Sequence, residues 1–169
     1  GLAETVRSTI RAFAMIDSSP AFILRKTNDL LLRRELGADF VTAFLLVLTR
    51  ETGYLRYASA GHPPPLHLGP RTCVSLEVPS FGLPLGALEC DYTDAHATLA
   101  LDDYLICFTD GVTEARRGGE LLGIERLTEI VAALRGQSPE QMATAIREAA
   151  VEFAGTLQDD LEVLALRLC

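Results

Sequence analysis

The chain has 169 residues, 49% of them hydrophobic and 22% charged, with a formal net charge of −8. That length and balance describe one globular domain, residues 1–169, with a real core, and exclude a disordered chain. The acidic surplus argues against a nucleic-acid surface, and no apolar stretch reaches the length of a membrane span.

Leu2, Val6, Ile10 and Phe13 repeat at helical spacing. Asp17-Ser18-Ser19-Pro20 breaks that helix, and Ser19 as N-cap with Pro20 at the first helical position starts a second. It carries Ile23, Thr27, Leu30 and Leu31 on one side, with its end expected near Gly37. From Phe40 to Leu48 the sequence is too uniformly apolar for an amphipathic helix and reads as a strand covered on both faces. Arg50-Glu51-Thr52-Gly53 is a turn, and Tyr54 to Ser59 returns as the antiparallel partner. Leu66 to Leu68 and Val74 to Leu76 are short candidate strands, and the Gly- and Pro-rich stretch from Pro79 to Gly86 is a loop. Strands near Ala95 to Leu99 and from Tyr104 to Phe108 follow, joined at Asp102-Asp103. Ile124, Leu127, Ile130, Val131 and Leu134 share one helical face, stopped by Gly136. Ser138-Pro139-Glu140-Gln141 has capping-box form and opens another helix, and a last apolar strand runs from Leu161 to Leu168. Helices, antiparallel strands, helices and a final strand make an α+β layered domain.

Cys73, Cys90, Cys107 and Cys169 are widely spaced, with no C-x-x-C pair. They read as reduced thiols in a cytoplasmic protein and not as a zinc or disulfide framework. Cys107 lies in an apolar strand and is expected to be a small core residue.

Thr109-Asp110-Gly111 closes the run Tyr104-Leu105-Ile106-Cys107-Phe108. A carboxylate on the rim of a buried strand is a rigid oxygen donor suited to a hard divalent cation, although Asp-Gly after a strand is commonly only a turn. Asp159-Asp160 begins the last strand. Should the two strands run antiparallel side by side, Asp110 and Asp159 would meet at one sheet rim, where acidic oxygens suit Mg²⁺ or Mn²⁺. On spacing alone, that reading and a solvated turn before a strand stand about level.

His62, in Ala60-Gly61-His62-Pro63-Pro64-Pro65, is open to a general-acid reading, but reads first as a turn residue beside a rigid proline run. His67 and His96 fall in strand-like stretches as structural or surface residues. Gly82-Leu83-Pro84-Leu85-Gly86 is too apolar to cradle phosphate and reads as a structural loop. Glu114, Arg116 and Arg117 follow Asp110 closely and read as an ordinary charged loop within reach of a ligand.

Phe40-Val41-Thr42-Ala43, Ala60-Gly61-His62-Pro63-Pro64, Pro84-Leu85-Gly86, the run from Phe108 to Ala115 and Asp159-Asp160 occur in order and at suitable intervals. Together they resemble the bacterial SpoIIE-type branch of the metal-dependent protein phosphatases, the PPM family, essentially from Gly1 to Leu168. The resemblance implies an antiparallel β-sandwich flanked by helices, with a two-metal Mn²⁺ or Mg²⁺ centre at one end. It implies hydrolysis of phosphoserine or phosphothreonine in proteins by a metal-activated water, without a covalent enzyme intermediate. Substrates of this branch are phosphorylated anti-sigma-factor antagonists. Carried over by motif, Asp110 and Asp159 are metal ligands and catalytic residues, and Asp160 orients the site or binds an additional metal.

Two departures qualify that expectation. The family carries further acidic ligands on N-terminal strands, including an Asp in a D-x-x-G-x-G-like motif. This chain opens at Gly1-Leu2-Ala3, which resembles the tail of that motif, so the domain is expected to be N-terminally incomplete, weak in metal binding and low in activity. Position 162 is Glu, where the family commonly has Thr. The rival expectation is a non-catalytic phosphatase-fold module that binds a regulatory partner. Open sandwich edges would also allow pairing with a second copy as a homodimer.

Overall fold

The computed structural model describes residues 1–33, 39–155 and 160–169. In chain order its elements are α1 (Leu2–Ala14), α2 (Pro20–Leu32), β1 (Ala43–Thr49), β2 (Tyr54–Ala60), β3 (Leu66–Leu68), β4 (Cys73–Ser75), β5 (Ala95–Thr98) and β6 (Tyr104–Phe108). There follow α3 (Asp110–Thr113), β7 (Arg116–Arg117), β8 (Glu120–Leu121), α4 (Gly123–Ala133), α5 (Pro139–Ala154) and β9 (Val163–Arg167). They build two compact units, Gly1–Pro63 with Glu77–Thr98, and Pro64–Leu76 with Leu99–Cys169. Among the described residues no helix is long and apolar enough to cross a membrane.

In the first unit the antiparallel sheet runs β1-β2-β5. Helices α1 and α2 bring Val6, Leu24 and Leu31 into a core with Ala58, Ala60, Leu85 and Tyr92. The Ser19 hydroxyl caps α2 by accepting from Phe22 N at 3.1 Å, and Pro20 occupies the first turn, as the sequence indicates. The same hydroxyl donates to Asp94 Oδ2 at 2.7 Å while Ala21 N donates to Asp94 Oδ1, which places a carboxylate at the positive end of the helix. Helix α2 is complete at Leu32, and the expected stop at Gly37 lies outside the described residues. Strand β1 begins at Ala43 and not Phe40, because Val41 is drawn instead into a reciprocal bridge with Leu85. Nor is β1 covered on both faces. It ends the sheet order, Phe40 lies exposed just before it, and Val47 is exposed within it.

In the second unit the order is β4-β3-β6-β9, all antiparallel. Helices α4 and α5 cover this sheet, burying Leu127, Val131, Met142, Ile146 and Ala150 against Leu66, Leu68, Ile106 and Phe108. Ser138 and Gln141 form both bonds of the expected capping box, and Gly136 follows α4 with φ +89°. Burial pushes the Cys107 thiol up to about 11, consistent with a packed and unreactive cysteine. Strand β9 starts at Val163, two residues later than expected, and β4 lies one residue earlier. The one-turn helix α3 and the β7–β8 hairpin were not signalled by periodicity, being too short to show one.

Candidate functional site

Strand β6 is apolar throughout, with Leu105 and Ile106 fully buried, so its end is a rigid platform. It pairs with β9 from Tyr104↔Arg167 to Phe108↔Val163. The end of β6 therefore lies beside the start of β9, the side-by-side arrangement on which the carboxylate argument depends.

The junction is fastened at Thr109. Its N–H donates to Glu162 O at 3.1 Å, and its hydroxyl donates to Asp160 O at 3.0 Å and accepts from Glu162 N at 3.0 Å. Asp110 comes next and Asp160 is joined directly to Thr109, so both belong to adjoining strand ends, and both are exposed. Asp159 lies outside the described residues.

Asp110-Gly111 is not the open turn suggested by the dipeptide. Asp110 is the first residue of α3, and its carbonyl accepts from Glu114 N at 2.8 Å and Thr113 Oγ1 at 3.1 Å. Gly111 is helical and buried, and its N–H donates to Asp110 Oδ1 at 3.1 Å. The carboxylate thus projects from a short helix seated on the core by Val112 and Ala115.

The donor chemistry fits a hard cation in part. Carboxylate oxygens suit Mg²⁺ and Mn²⁺, and Asp110 and Asp160 offer them at one rim. Among the described residues there is no group of three or more His, Cys, Asp or Glu placed to hold a metal.

The neighbouring charges have structural tasks. Arg117 stacks on the Phe153 ring at 4.7 Å, and Arg126 lies over the same ring at 5.3 Å while pairing with Glu120 at 2.5 Å. Arg116 and Glu114 are exposed. In the second unit His67 Nε2 meets Asp103 Oδ2 at 2.7 Å, and Ala100 N donates to the same oxygen at 2.9 Å. Asp103 is only 5% exposed, a buried partnership that the sequence did not disclose beyond an Asp-Asp turn.

In the first unit His62 is half-buried, with Nδ1 donating to Pro63 O at 2.9 Å and its backbone bonded to Ser59 Oγ, as a turn residue would be. His96 stacks on Tyr54 and bonds its hydroxyl at 2.6 Å, so the structural expectation for His67 and His96 holds. The loop from Pro79 to Gly86 is structural as well: Phe81 O accepts from Gly61 N at 2.6 Å and Leu83 O from Tyr92 Oη at 2.9 Å.

Comparison with known proteins gives this rim a context. Residues 1–168 match the family described as Stage II sporulation protein E (SpoIIE). Phosphoserine phosphatase RsbU of Bacillus subtilis (strain 168) is 25% identical over 150 residues, covering 88% of this chain. The chain spans 45% of that relative's length. Among solved structures, the SiaA-PP2C domain of Pseudomonas aeruginosa is similar at TM-score 0.84 and 20% identity, covering 98% of this chain and 68% of that one. The RsbU and RsbW domains of Rv1364c from Mycobacterium tuberculosis are similar at TM-score 0.81 and 22% identity, covering 96% of this chain and 45% of that one. At such identities the structures establish a shared α+β fold. With the family match extending over nearly the whole sequence, the chain belongs to the SpoIIE family, the SpoIIE-type branch of the PPM phosphatase fold.

Proposed function

We propose that the protein is a cytoplasmic, PPM-type protein-serine/threonine phosphatase, with residues 1–169 belonging to a single phosphatase domain. It hydrolyses phosphoserine or phosphothreonine in a regulatory protein of the anti-sigma-factor-antagonist kind. The observation that carries this reading is the family match across residues 1–168, joined to the Asp110 and Asp160 segments at one rim of the second sheet. The likeness to a phosphoserine phosphatase supports the choice of substrate class.

In this reading Asp110 and Asp159 hold Mn²⁺ or Mg²⁺, and Asp160 orients the site or holds an additional ion. Bound metal supplies a water acidified to near neutrality and positive charge for the phosphoryl oxygens. The chain's own contribution is positional. The buried β6 and the Thr109 bonds fix the strand ends, and α3 presents the Asp110 carboxylate to solvent, where a phosphorylated segment can reach it. Fixed placement of donors is what a preorganised hydrolytic site requires.

The test is Mn²⁺-dependent phosphate release from a phosphoserine-bearing anti-sigma-factor antagonist by the intact protein. Asp110→Asn and Asp159→Asn are each expected to reduce turnover by more than the roughly 10–100-fold typical of outer-shell changes. Unchanged turnover in either variant refutes its assignment as a ligand. Partner binding without any release by the wild type would favour the non-catalytic module.

A further inference from the structure

We infer that Thr109 is a positioning residue for divalent-cation binding, its hydroxyl setting the spacing between the Asp110 segment and the Asp160 segment. This rests on the metal reading proposed above and goes beyond it by assigning a role to a residue that carries no charge.

An N-cap threonine ordinarily turns its oxygen to the N2 or N3 amide of its own helix. Thr109 is the N-cap of α3 and makes no such bond. Its carbonyl accepts from Val112 N at 3.1 Å, so it is committed to α3. The next rung of the β6–β9 ladder after Phe108↔Val163 consequently lacks its usual acceptor, and Glu162 N would face β6 without one. The hydroxyl replaces that carbonyl. It accepts from Glu162 N at 3.0 Å and donates onward to Asp160 O at 3.0 Å, while Thr109 N still donates to Glu162 O at 3.1 Å.

Three bonds therefore clamp the residue before Asp110 to the first described residues of the β9 segment. One of them ends on the backbone of Asp160 itself. Only an atom that both donates and accepts can fill this place, which restricts it to a hydroxyl side chain of this length. Two carboxylate-bearing segments held in fixed register lose little freedom when a cation binds between them, and a loosened register raises that cost.

The experiment measures Mn²⁺ affinity by calorimetry for the intact wild type, Thr109→Val, Thr109→Ser and Asp110→Asn, with thermal unfolding of each in the absence of metal. Valine keeps the shape and removes both side-chain bonds, so its Kd for Mn²⁺ is expected to rise by about 10–100-fold, the usual effect of an outer-shell partner. Serine keeps the hydroxyl and is expected to retain wild-type affinity. At saturating Mn²⁺ the valine variant should regain phosphatase kcat, with the deficit confined to the metal concentration required. Wild-type affinity in Thr109→Val overturns the inference, as does a serine variant as impaired as the valine one. Should valine prevent folding, the serine variant still decides: impaired Mn²⁺ binding in a folded Thr109→Ser protein overturns the role of the hydroxyl. Loss of binding in Asp110→Asn with retention in Thr109→Val defeats only this inference, whereas full binding by Asp110→Asn defeats the metal reading and this inference together.

Discussion

Asn28→Ala tests whether the Pro84-Leu85-Gly86 motif is held by a buried amide on α2. Asn28 is 1% exposed; its Oδ1 accepts from Gly86 N at 2.7 Å and its Nδ2 donates to Leu88 O at 2.9 Å. Leu85, between Pro84 and Gly86, exchanges both backbone bonds with Val41, at 3.0 and 2.8 Å. Alanine removes the acceptor of the half-buried Gly86 N–H, which costs about 1–3 kcal/mol where water does not replace it. The Leu88 carbonyl sits in an exposed stretch and can turn to water, so its loss amounts to about 0.5–1.5 kcal/mol. The sum is about 1.5–4.5 kcal/mol, against a total stability of about 5–15 kcal/mol for an ordinary domain. In urea, with a mid-range slope of about 2 kcal/mol per molar, the midpoint should fall by about 1–2 M. Lys26→Ala, which removes an exposed pair with Asp29 at 3.8 Å and a cation–π contact with the Phe22 ring at 5.9 Å, is the control and should move stability by less than about 1 kcal/mol. If Asn28→Ala is as mild as that control, the loop is held by its apolar packing and the hydrogen-bond reasoning fails.

Gly82→Ala should destabilise by about 1–3 kcal/mol or more, because Gly82 has φ +63° and an added Cβ would lie 2.7 Å from Ser59 O and 2.8 Å from the Tyr92 ring. Thermal unfolding reads this directly, and a variant with the wild-type Tm would show that the loop can move aside. Thr27→Val should stabilise by about 1 kcal/mol, since Thr27 is fully buried and its Oγ1 has no hydrogen-bond partner among the described residues. A fall in the urea midpoint would mean that the hydroxyl does useful bonding.

Elements with a strong local cause were legible in the sequence. The Ser19-Pro20 start of α2 and the Ser138–Gln141 box of α5 are short-range bonds between residues three apart, and both formed as written. Strand β6 was readable to the residue because burial on both faces demands an unbroken apolar run. The equally apolar segment from Phe40 misled, since composition cannot distinguish a central strand from one at the end of a sheet order. Its first residues were taken up by a single bridge to Leu85, more than forty positions away. The Asp103–His67 pair was hidden for the same reason: strands β3 and β6 are neighbours in space and thirty-six residues apart in sequence.

The rim itself shows where such reading stops. That Asp110 and Asp160 flank the same strand junction follows from one topological assumption, and the β6–β9 pairing satisfies it. What binds the junction together could not be read from local rules, because those rules read Thr109-Asp110-Gly111 as a turn. The helix takes the threonine's carbonyl and leaves its hydroxyl to the neighbouring strand, a choice that exists only once β9 is in place. A sequence rule that scores Thr-Asp-Gly as a turn therefore finds the carboxylate and misses its support. The physical signature of that support is a ladder bond supplied by a side chain at the point where the backbone leaves the sheet.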